Sequence, residues 1–163
     1  MSIKSSKGFA LFEVLVAVVV LSVGLLGLAG LQVTGQRNNH SAYLRSQAVF
    51  FAYDMVDRMR ANMQGVTAGD YNSISGIPAD PGCISAGCTP AQLAQYDAHQ
   101  WNTLMAQELP LGQGTVEGPG VGAMVGPGNE ITVTVMWDDD HSGGGAAACG
   151  AGGLKCLTVS VNL

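Results

Sequence analysis

The stretch Lys7–Glu13, KGFALFE, opens the helix on which the predicted fold of this chain depends. It places one carboxylate, Glu13, inside an apolar run that carries no other charge between residues 9 and 36. A charged side chain at bilayer depth costs roughly 2.5–3.5 kcal/mol on insertion scales, so an ionisable residue there is a candidate for function. The small residue Gly8 lies directly before the run.

The length of the run favours a membrane span. Phe9 to Leu31 is long enough to cross a hydrocarbon layer of about 30 Å at roughly 1.5 Å per residue. A cleaved secretory signal would have a shorter apolar core followed by a small-residue cleavage site, here near Ala29. A plain signal anchor fits the length but leaves Glu13 without a reason.

Charge indicates orientation and excludes one class of partner. Lys4 and Lys7 precede the run and keep the N-terminus in the cytoplasm, so the chain after about Leu31 is expected outside it. The formal net charge is −5, and only 12% of residues are charged. An acidic body of this kind argues against a nucleic-acid-binding surface, which would be basic.

All four cysteines lie in the exported part, where disulfides persist. Four cysteines allow three connectivities, and proximity favours Cys83 with Cys88 and Cys149 with Cys156. A zinc site is the rival interpretation. The intervals of four and six residues differ from the C-x₂-C of common zinc modules, so disulfides are favoured.

The sequence predicts one unbroken helix from Phe9 to about Asn62, because no proline interrupts it. Its second half is amphipathic, with apolar residues at three- and four-residue steps. These residues are Leu44, Ala48, Phe51, Ala52, Met55 and Met59. We interpret the nearby charges, including the i,i+4 pair Asp54 and Arg58, as a solvated helix face. Contacts between subunits are the alternative.

The remainder predicts a small mixed domain. Residues 65–90 are rich in Gly, Pro, Ser and Asn and indicate a loop. Thr89 is a candidate N-cap for a helix that ends at Leu109 and uses Leu93, Tyr96, Trp101, Leu104 and Met105 as its apolar positions. Strands are predicted at 114–117, 130–137 and 157–161. The predicted class is α+β: a long N-terminal helix packed against a small antiparallel sheet.

Nothing in the sequence indicates an enzyme, a cofactor or a metal centre. The acidic run Asp138–His141 lacks the spaced pattern of a calcium loop, so a solvated turn is favoured over a cation site. The histidines show no metal-ligand spacing, and Ser142 beside His141 is not a catalytic arrangement.

Taken together, the two lysines, Gly8 and Glu13 resemble the type III signal of type IV pilins and pseudopilins. The resemblance implies cleavage between Gly8 and Phe9 by prepilin peptidase and N-methylation of Phe9. It also implies that Glu13 pairs with the N-terminal amine of a neighbouring subunit during assembly. The predicted divisions are a leader (1–8), a transmembrane helix (9–31), an amphipathic half (32–63) and a periplasmic head (64–163).

Further motifs resemble the PilV minor pilins, also called type IV pilus modification proteins. They are residues 13–17 and 21–32, the motif Asp57–Asn62, and then Tyr71, Cys88, Ala94, Asp97, Trp101, Leu109-Pro110 and Trp137 in order. The resemblance implies a pilin-fold subunit of the inner membrane that later joins the pilus. Its implied partners are other minor pilins, the major pilin, prepilin peptidase and, in some species, a tip adhesin. A type II secretion pseudopilin and a membrane-anchored periplasmic binding protein are the alternatives.

Overall fold

The computed structural model describes residues 11–119, 129–140, 143, 149 and 153–163, without the side chain of Ala86. Contacts divide the chain into two units, Met1–His40 and Ser41–Leu163. The helices are α1 (Leu11–Ala61), α2 (Met63–Ala68), α3 (Cys83–Ala86) and α4 (Pro90–Glu108). The strands are β1 (Ser73–Ser75), β2 (Gln113–Glu117), β3 (Glu130–Asp138) and β4 (Leu154–Asn162).

The described part of the first unit consists of α1 residues alone. All side chains from residue 11 to residue 40 are exposed. Helix α1 contains an 18-residue window of mean hydropathy 2.8, which makes it long and apolar enough to cross a membrane by length and composition. A signal sequence would meet the same criterion. The predicted helix is confirmed within the described residues, and it ends at Ala61.

The second unit begins with the amphipathic part of α1. The six residues predicted to form its apolar stripe are all buried, and Val56 joins them. They belong to one core that also contains residues of α4 and of the sheet. The stripe forms because residues three and four apart share one face of a helix.

A four-stranded antiparallel sheet supplies the other side of this core, in the order β1-β2-β3-β4. One row of paired residues crosses it: Ile74, Val116, Val133 and Val159. The predicted α+β class and antiparallel arrangement are therefore confirmed. The prediction missed β1, which lies in the stretch expected to be a loop, because three residues are too few to show a period of two.

Helix α4 begins as predicted. Thr89 is the N-cap, its side chain and that of Gln92 form a reciprocal capping box, and Pro90 occupies the first turn. The predicted apolar face is partly wrong, because Leu104 is exposed and Leu93 and Tyr96 are only half-buried. The buried residues of α4 are Ala94, Asp97, Ala98, Trp101, Asn102 and Met105. Asp97 and Asn102 are buried on this face because polar partners lie opposite them.

Helix α4 and strand β2 approach each other closely at Gly114. A Cβ built on Gly114 would overlap the six-membered ring of Trp101 and the methyl group of Met105. The backbone N–H of Gly114 also donates to the side-chain oxygen of Asn102 over 2.8 Å. A glycine is required here because only a residue without a side chain lets the strand lie against the indole.

We expect Gly114→Ala to lower the free energy of unfolding of the head by about 2 kcal/mol, since a methyl group would be forced into a filled core. Gly35→Ala is the matched control, because its Cβ would meet nothing within 4 Å. Urea unfolding of the full chain in detergent, followed by tryptophan fluorescence, measures the change. A smaller penalty for Gly114→Ala in the Trp101→Phe background would locate the clash at the indole ring, whereas equal penalties would contradict it.

Candidate functional site

The described residue of the predicted processing and assembly site is Glu13. It lies in the first turn of α1 and is exposed. A carboxylate at this position is also favourable to the helix, since the N-terminal end carries a partial positive charge. Gly8 and Phe9 lie outside the described residues, so cleavage between them and methylation of Phe9 stay predictions.

A second candidate site lies within the second unit, where α1 meets α4. Arg58 donates from Nε to Asp54 over 2.9 Å and from one terminal nitrogen to Asp97 over 3.3 Å. The same terminal nitrogen donates to the side-chain oxygen of Gln100 over 2.7 Å. Only 9% of the Asp97 side chain and 20% of the Arg58 side chain are exposed. The guanidinium thus holds a carboxylate of another helix in a nearly dry site.

The network continues from Asp97 to the end of α1. Tyr71 donates its hydroxyl hydrogen to Asp97 over 2.6 Å. The side-chain amide of Asn62 donates to the Tyr71 oxygen over 3.1 Å and to the carbonyl of Pro90 over 2.8 Å. Asn62 also caps α2 by accepting from the N–H of Gly65. Five polar side chains therefore join three segments that are distant in sequence; they are Asp54, Arg58, Asn62, Tyr71 and Asp97, and we call them the junction network.

Burial and charge act on the titration of two members. Burial by itself lowers the pKa of Arg58, but the hydrogen bond and charge of Asp54 and the charge of Asp97 outweigh it and raise that pKa. The pKa of Tyr71 is raised well above its usual value, first by burial and then by its hydrogen bond to Asp97; the hydrogen bond from Asn62 opposes the shift. Both shifts stabilise the proton that each group donates.

The tyrosine shift predicts a pH dependence. The folded state holds the Tyr71 proton above pH 10, where an unfolded tyrosine begins to release it, so stability falls as pH rises beyond about 10. We expect Tyr71→Phe to cost about 1–3 kcal/mol near pH 7 and progressively less above pH 10. Urea unfolding of both proteins from pH 7 to 11 tests this. A difference that stays constant across that range would show that Tyr71 does not couple stability to pH.

The sequence interpretation of the helix charges needs a correction. Arg60 and Asp57 do form an exposed i,i+3 pair, with side chains 58% and 73% exposed. Arg58 does not belong to a solvated face, because it also binds Asp97, 39 residues away in sequence. Local spacing predicted the Asp54 contact and could not indicate the second carboxylate.

Two tertiary hydrogen bonds near this network were not predicted. The Trp101 indole N–H donates to the carbonyl of Phe51 over 2.8 Å, which fixes α4 against α1. Asn102 accepts from Gly114, as described above. An asparagine beside an aromatic residue on a helix face gives no signal that distinguishes a buried acceptor from a solvated side chain.

Both cysteine pairs favoured by proximity are joined. The Cα atoms of Cys83 and Cys88 are 5.1 Å apart, and those of Cys149 and Cys156 are 5.6 Å apart. All four cysteines are thus in disulfides. Within the described residues, no group of three or more His, Cys, Asp or Glu side chains is arranged to hold a metal ion.

The acidic run that begins at the last residue of β3 differs in part from the solvated turn that was favoured, since Asp140 is exposed but Asp138 is buried. Asp138 is only 2% exposed, and its carboxylate accepts from the N–H of Gly143. Asp139 accepts from the Ser41 hydroxyl over 2.8 Å and from the Trp137 indole N–H over 3.3 Å. His141, the last residue of the run, lies outside the described residues. The first two aspartates are therefore structural acceptors that attach the end of β3 to its surroundings.

Two family models match consecutive parts of the chain. Residues 3–29 match the prokaryotic N-terminal methylation motif, and residues 30–99 match the family described as type IV pilin Tt1218. The chain is a type IV pilin. The matches together end within α4, so strands β2 to β4 lie beyond both. Searches among curated proteins and among solved structures found no significant match.

The pilin family assigns a structural task to this fold. A type IV pilin is a subunit that takes part in pilus assembly and interacts with other pilins and with prepilin peptidase. The methylation motif and the apolar helix fit a membrane-anchored form that is later incorporated into the pilus. Type IV pilins are structural proteins and not enzymes.

Proposed function

We propose that this pilin is a minor subunit of the PilV kind, which joins other minor pilins to prime assembly of type IV pili. What supports the proposal is the arrangement of the residues that resemble PilV. Arg58 and Asn62, from the motif at 57–62, bond to Asp97 and Tyr71, and Trp101 anchors the same helix pair. A motif whose scattered members meet in one network is more specific than the N-terminal signal alone, which matches over 27 residues and does not distinguish pilins from pseudopilins.

Processing and assembly follow from the N-terminal segment. The mature subunit begins at Phe9, methylated on its amine, after prepilin peptidase cuts behind Gly8. A residue at that cleavage site must be small, because the peptidase brings its active site close to the scissile backbone. Loss of the leader removes Lys4 and Lys7, which takes the formal charge from −5 to −7.

The location follows the same order of events. The precursor lies in the inner membrane with its head in the periplasm, and the mature subunit then enters the pilus at the cell surface. Its partners are other minor pilins, the major pilin and prepilin peptidase, with a tip adhesin in species that have one. Through the pilus it contributes to twitching motility and adhesion.

Deleting the gene and scoring surface pili, twitching and protein secretion together tests the proposal. We expect pili and twitching to decrease strongly while secretion stays normal, with both recovered when the gene is restored. Loss of secretion with normal pili would instead identify a type II secretion pseudopilin. Normal pili and secretion would favour a membrane-anchored binding protein.

A further inference from the structure

The two positively charged residues of the second unit, Ser41–Leu163, that form no ion pair among the described residues line one cleft. A cavity of about 260 Å³ is lined by Ser41, Arg45, Trp137, Asp139, Lys155 and Cys156. Arg45 comes from α1 and Lys155 from the start of β4, and both side chains are exposed. We call this cavity the Arg45–Lys155 cleft.

The chain after Gly8 contains few Lys and Arg residues, and most of those that the structure shows without an ion pair lie at this cleft. Five Lys and Arg residues follow Gly8, and two of them, Arg58 and Arg60, form ion pairs. Two of the other three line this single cleft. In an acidic protein, placing two like charges at one cavity is unfavourable unless an anion joins them.

Within the described residues, the chain supplies one carboxylate at the cleft, Asp139, but no ion pair to either cation. All twelve Asp and Glu residues lie within the described residues, and none of them forms an ion pair with Arg45 or Lys155. Asp139 lines the cleft, but its two oxygens accept from Ser41 and Trp137 instead. Those two donors disperse its charge and fix the carboxylate in the wall of the cleft.

The charge of the cleft indicates what it binds. Two cations facing the one carboxylate of Asp139 leave a single net positive charge. One further carboxylate neutralises it, and such a group accepts well from both a guanidinium and an ammonium ion. A phosphate dianion would exceed that charge and meet repulsion from Asp139.

We propose that the Arg45–Lys155 cleft binds an Asp or Glu side chain of a neighbouring pilin head. A pilin acts among other pilin subunits. The head of this pilin itself carries exposed glutamates such as Glu108, Glu117 and Glu130. The inference rests on the proposed function only in taking the neighbour to be a pilin of the same fibre. The predicted pair between Glu13 and a neighbouring N-terminal amine leaves a subunit free to rotate about its long helix. An ion pair at the cleft would fix that rotation.

The mature sequence permits a sharp chemical test. Once the leader is removed, Lys155 is the only lysine of the subunit. A water-soluble carbodiimide activates a carboxylate, and a lysine amine in contact with it then forms an amide bond. The reagent takes up the oxygen that is lost and leaves as a urea. We would treat sheared pili and cell envelopes containing the full-length protein and identify the linked peptides by mass spectrometry.

We expect Lys155 to be linked to an Asp or Glu of a second polypeptide that carries the pilin N-terminal motif. Lys155→Arg removes the primary amine, so it should abolish the linked product. It keeps the positive charge, so the subunit should still enter pili. Arg45→Gln with Lys155→Gln should lower the subunit in sheared pili about five-fold at an unchanged membrane level, as loss of exposed ion pairs predicts. Thermal unfolding of each purified full-length variant shows that the head still folds.

The matched control is Gln64→Glu with Gln107→Glu. Both glutamines are exposed, and the exchange makes the same net-charge change with side chains of the same shape. Normal incorporation of this control would attribute the defect to the cleft and not to total charge. Equal defects in both double variants would overturn the proposal.

Three other results would also overturn it. They are a wild-type subunit that enters pili without any Lys155 product, a wild-type product joining Lys155 only to Asp139 of its own chain, and thermal stabilisation by inorganic phosphate that the Gln double variant loses. Failure of the proposed function is distinguishable. If gene deletion left pili intact and Lys155 were linked to a secretion pseudopilin, the assignment to pili would fail and the cleft would still bind a neighbour's carboxylate.

Discussion

Replacing Arg58 by methionine is expected to lower the free energy of unfolding of the head by about 3 kcal/mol. Methionine keeps much of the length of the side chain and removes its charge, so the Asp97 carboxylate loses its counter-charge while only 9% of its side chain is exposed. Leaving one partner of a buried ion pair without its counter-charge costs about 3–5 kcal/mol. The lower end applies because 20% of the Arg58 side chain reaches solvent.

Arg60→Met is the matched control for that experiment. Arg60 stands two residues further along α1, and its pair with Asp57 is exposed, so its loss should change stability by less than about 1 kcal/mol. Urea unfolding followed by fluorescence reports on the head alone, because Trp101 and Trp137 both lie in it. Equal effects of the two substitutions would show that the junction network does not stabilise the head.

A second variant separates lost charge from lost packing. In Arg58→Met with Asp97→Asn, the more buried of the two carboxylates that lose Arg58 is removed, and the amide oxygen can still accept from Tyr71. Asp54 loses its partner equally in the single and the double variant, so it does not affect the comparison. We therefore expect the double variant to be more stable than Arg58→Met alone, with a coupling energy of about 1–3 kcal/mol. A strictly additive result would attribute the cost of Arg58→Met to packing.

The junction network also shows where sequence reasoning stops. The apolar stripe of α1 and the alternation in β3 were predicted because each depends on a period that neighbouring residues display. The contact between Arg58 and Asp97 spans 39 residues and depends on how α4 lies against α1. The local pair with Asp54 was sufficient to explain Arg58, so nothing in the sequence required a second carboxylate.

Short elements set a different limit. Helix α2 follows Asn62, which caps it, and ends at Gly69 in the left-handed conformation with φ of 82°. Both are recognisable helix signals, but six residues in a Gly-rich stretch do not display a helical period. Helix α3 has four residues and β1 has three, so they depend on the disulfide loop and on pairing with β2 respectively. The sequence therefore predicts long elements and their faces better than the connections between them.

Gly8→Val provides the reference for the assembly prediction. A branched side chain at the cleavage site should prevent the peptidase from reaching the backbone, so the uncleaved precursor should remain in the membrane. Electrophoretic mobility and the mass of the N-terminal peptide measure this directly. Normal cleavage of this variant would contradict the assignment of Gly8, and it would leave the role of Glu13 to be judged separately.

Glu13→Gln is expected to be cleaved and methylated like the wild type, and to reach sheared pili at least about ten-fold less. The amide has the shape of the carboxylate without its charge, so the methylated amine of a neighbouring Phe9 would be buried without a partner. A tenfold defect corresponds to only about 1.4 kcal/mol, well within the cost of an unpaired buried charge. Glu13→Asp keeps the charge on a shorter side chain and should retain part of the incorporation. The amount of subunit in sheared pili relative to membranes, with the N-terminal mass verified, measures the effect. Wild-type incorporation of Glu13→Gln would mean that the carboxylate does not select the incoming subunit.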